Sequence, residues 1–380
     1  MYIDAPNVWV YGSRFIANTA NSSNNDRGSA VYIAKNMLFH MRDGVLDKNY
    51  VYGGNNSNFY YGDISFSNIN PDVVGTVLGN SVYQQYISNS SSFRYAVAYV
   101  TNGPIKGLGF SADSATSLSN VYDTGVEDNI VIYIVDQDYA LDNIQILTKN
   151  VTIIGINNTI IRPGYQDKKS LFILQDGSVV TMSNLTLEGG IEVQKDATLN
   201  INDANITGAQ TGINSNGTVT VNNVNFYGND RAINAGKGTL TVKNSTFTNN
   251  HNIEYRNIKV ENGVNAEIID NTFDANLTDI IIDNKVYGNN ATVTGKFDAG
   301  VNIEISGITF KVESTKYSVK NIEVGKDGNF TFDLKDDGIL KAGTYNVTAD
   351  NGSATNKFTM TNVNSFEIVK ANVSANTVDE

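Results

Sequence analysis

Carboxylates are the side chains in this sequence best placed to do chemistry, because two of them recur at a fixed spacing. Asp203 and Asp270 occupy one position of a repeat of about 20 residues, a position taken elsewhere by Asn184, Asn223 and Asn244. Two carboxyl groups that act together on a glycosidic bond stand about 5–9.5 Å apart. Three repeat steps of about 4.8 Å put Asp203 and Asp270 roughly 14 Å apart, so they cannot serve one bond. Calcium coordination is the other chemistry open to carboxylates, and Asp327–Asn329 (Asp-Gly-Asn) and Lys335–Gly338 (Lys-Asp-Asp-Gly) offer oxygen ligands for it. The same dipeptides make hairpin turns. The expectation is a chain without cofactor, calcium being the one ion its ligands would suit.

Other reactive types are scarce. There is no cysteine, which excludes disulfides and thiolate metal sites and leaves the redox compartment open, and only two histidines, His40 and His251. The Arg162-Pro163 pair has no second arginine near it in sequence and reads as a solvated turn. Lys311 or Lys357 could close an intramolecular isopeptide bond if either faced an Asn beside a buried carboxyl. Tyrosines crowd residues 50–122, and Tyr60, Tyr61, Tyr83 and Tyr86 are the candidate ligand-binding residues, since aromatic faces stack on sugars. The competing role for them is to cover the open end of a repeat array. Fifteen Asn-x-Ser/Thr sequons are present, among them Asn150, Asn157, Asn184, Asn205, Asn216, Asn244, Asn276, Asn290, Asn329 and Asn346. An Asn- and Thr-rich chain produces such triplets by chance, and glycosylation of them would mark a surface protein.

The elements that must position these residues show in the repeat itself. Val180, Leu199, Val219, Leu240 and Ala266 form one column, and Met182, Ile201, Val221, Val242 and Ile268 the next. Leu185, Ala204, Val224, Ser245 and Asn271 form a third, and Leu187, Ile206, Phe226, Phe247 and Phe273 a fourth. Within a row, apolar residues alternate with Asn, Thr, Lys and Asp, the period of a strand with one dry face. A coil of this size cannot bury its apolar face alone, so the coils must stack as a β-solenoid. Rows end on a Phe/Leu-x-x-Asn turn at Phe226–Asn229, Phe247–Asn250 and Phe273–Asn276, and again at Phe15–Asn18 and Leu46–Asn49. Asn suits such turns because it tolerates left-handed backbone and can stack on its counterpart in the next coil.

The domain organisation expected from this pattern has five parts. Residues 1–50 are partial coils, and 51–127 an irregular Tyr-, Gly- and Asn-rich segment serving as cap or insertion. In it, Asn70-Pro71-Asp72 caps a short helix over Val73–Leu78. Residues 128–299 are a parallel β-helix of seven or eight coils. Residues 300–366, with short strands divided by turns, are a β-sandwich, and 367–380 a linker to a further repeat. The formal net charge of -12 speaks against nucleic acid or anionic membrane as partner. No apolar run suits a signal peptide or a membrane span, so the chain reads as a piece of a longer protein without leader, anchor or direct membrane insertion.

The run "NVTIIG" leading to "TII" resembles the opening coils of the pectin-lyase-like right-handed parallel β-helix. "LKAGTYNV", with Leu340, Gly343, Tyr345 and Val347, resembles the tyrosine corner of Ig-like domains. Together with the Phe-x-x-Asn coils and a "GSAVYIA" coil, these features resemble the large adhesin-like surface proteins of methanogenic archaea. The resemblance implies an all-β chain, a right-handed parallel β-helix followed by a C-terminal Ig-like β-sandwich. It further implies an extracellular, cell-surface, non-catalytic adhesin segment whose partners are surface glycans or proteins of other cells. The alternative is a polysaccharide lyase or glycoside hydrolase on the same helix, which would need carboxylates with Arg, Lys or His clustered on one outer sheet. No Gly-His-Gly or Asn-Thr-Asp triplet of the polygalacturonase kind is present.

Overall fold

The computed structural model describes residues 1–16, 19–22, 30–33, 37–47, 50–53, 59–61, 64–66, 72–78, 95–105, 109, 112, 115–124, 126–164, 170–251, 254–283, 285–312, 317–334, 340–350, 356–360 and 362–370. The chain falls into two compact units. One comprises Met1–Asp142, Leu147–Gly164 and Gly177–Thr186, and the other Asn143–Ile146, Tyr165–Asp176 and Leu187–Glu380. Among the described residues all of the regular structure is β except one seven-residue helix.

The first unit opens with β1 (Tyr2–Ile3), β2 (Asn7–Tyr11), β3 (Arg14–Ile16), β4 (Thr19–Ser22), β5 (Val31–Ile33), β6 (Leu38–Asp47), β7 (Tyr50–Gly53), β8 (Phe59–Tyr61), β9 (Ile64–Phe66) and β10 (Asp72–Leu78). They pair as β1-β5-β9 and β2-β6-β10, both parallel, with β3 also on β6 and β4 parallel to β7. Only β8 runs antiparallel, against β7. Coil-wise parallel pairing therefore continues past residue 50, as far as Leu78. The helix expected over Val73–Leu78 is not formed: that stretch is β10, in register with β6 from Asp72↔His40 to Leu78↔Asp47. Three valines, a threonine and a glycine in seven residues resist a helix, and a neighbouring parallel strand supplies the backbone partners that a lone helical turn would lack.

The unit continues with β11 (Tyr95–Val100), α1 (Leu118–Thr124), β12 (Val126–Ile134), β13 (Asp138–Leu141), β15 (Val151–Pro163) and β17 (Val179–Leu187), β14 (Gln145–Leu147) intervening. The ladder runs β11-β12-β15-β17, with β13 on the far half of β15. β15 turns a corner within its length at Asn158, whose φ is 51°. Gly155 lies so close to the Asn184 carbonyl that any Cβ would collide with it. Gly109, Thr116 and α1 lie against β11: the Tyr99 amide donates to the Gly109 carbonyl, the Thr116 amide to the Tyr99 carbonyl and the Thr101 amide to the Thr116 carbonyl, and the Ser117 hydroxyl accepts the Asn120 amide at 3.1 Å as an N-cap. Burial there pushes the Tyr139 phenol up to about 12, with Asp136 and Asp142 adding to the rise.

In the second unit the coils are most regular. β16 (Ser170–Leu174), β18 (Gly190–Val193), β20 (Thr211–Ser215), β22 (Arg231–Ala235) and β25 (Ile258–Val260) stack in order after β14, six strands for six turns of a right-handed parallel β-solenoid. Six is fewer than the seven or eight expected. The facing sheet contains β19 (Thr198–Thr207), β21 (Thr218–Tyr227), β23 (Thr239–Lys243), β24 (Thr246–Thr248), β26 (Asn265–Ile269) and β27 (Thr272–Ile282). Its ladder reproduces the columns residue for residue. Ile201 pairs with Val221, Val221 with Val242 and Val242 with Ile268; Ile206 pairs with Phe226, Phe226 with Phe247 and Phe247 with Phe273. The column residues are buried, except that Ala266 is exposed and Ile268 half-buried where the array ends. The phenylalanines stack face to face, 4.8 Å for Phe226–Phe247 and 4.9 Å for Phe247–Phe273.

Beyond Phe273 the expected turn at Asn276 does not occur. β27 runs on to Ile282 and pairs antiparallel with β28 (Ala291–Asp298). Ala275 and Leu277 keep the alternation of buried side chains, so the strand has reason to continue. β29 (Ile305–Val312), β30 (Tyr317–Val324), β31 (Asn329–Leu334), β32 (Gly343–Asp350), β33 (Lys357–Met360) and β34 (Asn364–Ile368) follow. β31 lies antiparallel on β28, and β30-β29-β32-β34 form an antiparallel sheet. Phe310 of that sheet packs on Phe330 at 4.3 Å and Phe332 at 5.4 Å. The Tyr345 hydroxyl donates to the Lys341 carbonyl at 2.6 Å.

Two ladders of side chains hold the corners of these coils. In one, Ala209 N–H donates to Asn229 Oδ1 and Asn229 N–H to Asn250 Oδ1, both at 3.0 Å, while Asn229 Nδ2 donates back to the Ile206 carbonyl at 2.9 Å. In the other, Val224 N–H donates to Ser245 Oγ at 3.1 Å and Ser245 N–H to Asn271 Oδ1 at 2.9 Å. All four side chains are buried. Asn229→Leu is expected to orphan two buried backbone groups and to lower unfolding free energy by about 1–3 kcal/mol for each in a denaturant titration. Val221→Asp places an unpaired charge between Ile201 and Val242 and should cost about 4 kcal/mol or more; an unchanged melting temperature would contradict its burial.

Candidate functional site

The corner that follows Phe226 and Phe247 opens outward into a cleft. Gly228 and Asn249 hold equivalent turn positions with φ of 65° and 53°, which swings Tyr227 outward to 50% exposure. Tyr227, Gly228, Asn249, Asn250, His251, Arg256, Asp274 and Asn276 line an open cleft of about 530 Å³. Its floor is the Asn250 rung of the polar ladder, and its walls are an aromatic face and fixed polar groups.

Arg256 organises the far wall. Its side chain is 12% exposed and forms ion pairs with Asp298 at 2.7 Å and Asp274 at 3.6 Å. It also donates to the Asp274 carbonyl at 3.2 Å and the Asp298 carbonyl at 3.4 Å. Asp274 is occupied on both oxygens: Oδ2 accepts the Asn249 amide at 2.9 Å and Oδ1 the Asn257 side chain at 3.0 Å. His251 Nδ1 lies 2.8 Å from the Asn249 carbonyl. A carbonyl only accepts, so Nδ1 carries the proton and Nε2 of the neutral ring is an acceptor. The guanidinium is neutralised between two carboxylates, which leaves an anionic ligand little to bind. Both carboxylates are committed to that guanidinium, so neither stands free as an acid or a base. The wall does suit hydroxyl groups, with a tyrosine face beside it for the apolar side of a sugar ring.

The residues singled out from sequence fall elsewhere. Tyr60 and Tyr61 lie in β8, described by its backbone alone and paired with β7 through Tyr60↔Val51 and Tyr61↔Tyr50; Tyr83 and Tyr86 lie outside the described residues. Asp203 and Asp270 are corner residues, with φ of 49° and 58°, as are Asn184, Asn223 and Asn244 at 55°, 54° and 51°. That shared position selects Asp or Asn for its left-handed backbone, which accounts for the register without any chemistry. Asp327 spends both oxygens on Asn329 in a tight turn, Oδ1 on the backbone amide and Oδ2 on the side chain. Residues 335–338 include no described residue. Among the described residues, no group of three or more His, Asp or Glu side chains could hold a metal ion.

Arg162 is ion-paired with Asp138, both about half exposed. Lys311 is ion-paired with Asp350 at a partly exposed position and Lys357 is exposed, so neither has the dry surroundings an isopeptide bond would require. His40 is buried, and Trp9 stacks on it at 3.9 Å. Of the sequons, Asn157, Asn184, Asn205, Asn216, Asn244, Asn290, Asn329 and Asn346 are exposed, and Asn150 and Asn276 half-buried.

Compared with protein-family models, with curated proteins and with solved structures, the chain matches none. The class defined here is therefore that of the fold: an all-β chain built on a repeating parallel solenoid.

Reading the sequence did not find the cleft. The outward phase of Tyr227 was legible from its column, but Arg256 comes from the segment between β24 and β25, where one row is longer than the rest. Arg256→Met should destabilise by about 3 kcal/mol, because Asp274 would lose its cation at a site with little water. Chemical denaturation of the variant would measure it, and a loss below about 0.5 kcal/mol would show the network to be ornamental.

Proposed function

We propose that the chain is a non-catalytic segment of a cell-surface adhesin, its solenoid presenting a site for glycans of other cells. The observation that carries this reading is the Tyr227 cleft, an aromatic face beside polar groups whose carboxylates are all engaged. Proteins, the other partners that the archaeal resemblance implies, dock over a patch of about 800 Å² per partner, whereas the feature that supports binding here is a single open, polar cleft. In the same reading the antiparallel strands β28 to β32 and β34 form an Ig-like β-sandwich that acts as a stalk. The Tyr345–Lys341 bond and the Phe310–Phe330 packing support that assignment. Exposed sequons on successive coils favour an extracellular, glycosylated surface. The net charge of -12 is consistent with partners other than nucleic acid.

The test is an array of neutral and anionic glycans, together with intact cells, probed with the parent chain and with Tyr227→Ala. Binding to neutral glycans that falls at least about tenfold in the variant is the expected result, a loss of roughly 1.4 kcal/mol. The same samples, incubated with pectate or polygalacturonate with and without calcium, should release no reducing or unsaturated ends. Release that disappears when an outer-sheet Asp or Glu is replaced would make the chain a polysaccharide-cleaving enzyme instead.

A further inference from the structure

The regular stack ends on β27, yet the first half of β27 is not an open edge. Residues Thr272–Ala275 pair with β33, from Thr272↔Lys357 to Ala275↔Met360. β33 is parallel to β27, as one coil is to the next, whereas β28, β31 and the sheet of β29, β30, β32 and β34 pair antiparallel. The register also copies a coil in its side chains. Asn356 Oδ1 accepts the Asn271 amide at 3.0 Å and Asn356 Nδ2 donates to the Ile268 carbonyl at 3.0 Å. One coil earlier, Asn271 Oδ1 accepts the Ser245 amide at 2.9 Å and Asn271 Nδ2 donates to the Val242 carbonyl at 3.0 Å. Phe358 stacks on Phe273 at 6.0 Å, extending the row of Phe226, Phe247 and Phe273. Asn362, 85 residues along the chain from Leu277, bonds both its amide, at 3.0 Å, and its carbonyl, at 2.7 Å.

Asn356, β33 and Asn362 therefore have the hydrogen bonds and the aromatic ring of a coil without being the next coil in the chain. Left uncovered, Asn271–Ala275 would offer a straight parallel edge with a buried-type phenylalanine beside it, a ready template for another strand. β33 is a poorer template: it has four residues, Lys357 and Thr359 are exposed, and among the described residues no strand bonds to its far edge. We propose that Asn356 and β33, with Asn362, are a surrogate end coil, which bars the solenoid edge at Asn271–Ala275 from pairing with the same edge of a second copy of this chain.

The experiment uses the full chain with Asn356→Asp and Phe358→Asp combined, which sets charges where the ladder and the ring stack run. Amide exchange should lose protection at Thr272–Ala275, and sedimentation velocity should show dimers with a dissociation constant at least tenfold tighter than the parent's. A synthetic peptide of residues 356–362, in excess, should return the variant to the parent's sedimentation. A second construction guards against simple misfolding: Thr272→Cys with Lys357→Cys, in a chain that has no other cysteine, can be compared oxidised and reduced. The oxidised form, with β33 tethered, should self-associate no more than the parent. Lost protection at Thr272–Ala275 without tighter self-association overturns the proposal, and so does protection retained in the charged variant. Equal association by the tethered chain and the charged variant would overturn it as well.

Discussion

Each coil turns its corners in a dry interior, so the backbone amides there need acceptors that water cannot supply. Strand ladders satisfy the straight runs only. At the corners the acceptor is a side-chain oxygen from the following coil: Asn229 for Ala209, Asn250 for Asn229, Ser245 for Val224, Asn271 for Ser245. Each of these bonds requires the neighbouring coil to arrive in register, which ties the corner chemistry to the stacking of Phe226, Phe247 and Phe273. A slip by one residue would take the ring and the amide out of place together. The solenoid is thus held by repeated local matches and needs neither metal nor disulfide to explain its order.

That dependence explains what could be read from the sequence and what could not. The columns were legible because buried apolar positions and the ladder register are one pattern seen twice. The recurring Asn at the row ends was legible as a turn residue, though its role as acceptor for the preceding coil appears only in three dimensions. Asp203 and Asp270 looked like spaced carboxylates, and their common left-handed φ shows why the spacing is regular. Val73–Leu78 was misread as a helix because local signals do not reveal a parallel neighbour, and β6 supplies one. Where rows lengthen, column reasoning fails: Arg256 and the run-on of β27 past Asn276 both follow irregular rows. Asn356 and Phe358 stand beside Asn271 and Phe273 only through the fold, since nothing in their local sequence announces an end coil.

The proposed binding role uses the same architecture. The corner after Phe226 projects Tyr227 outward, so the buried interior fixes its exposed face beside His251 and Asp274. Sites of this kind can change from coil to coil at little cost to the core, because the outward side chain takes no part in the buried side-chain ladders. An adhesive surface and a stiff support then come from one repeated unit, which is the functional argument for building it from coils.

Native-state hydrogen exchange of the corner amides tests the central claim most directly. Ala209, Val224, Asn229 and Ser245 donate to buried side-chain oxygens, so their amides should exchange as slowly as those of Val221 and Val242 in the strands. Exchange of these four amides at the rate of an exposed turn, with the strands still protected, would show that the side-chain ladders do not hold the coils.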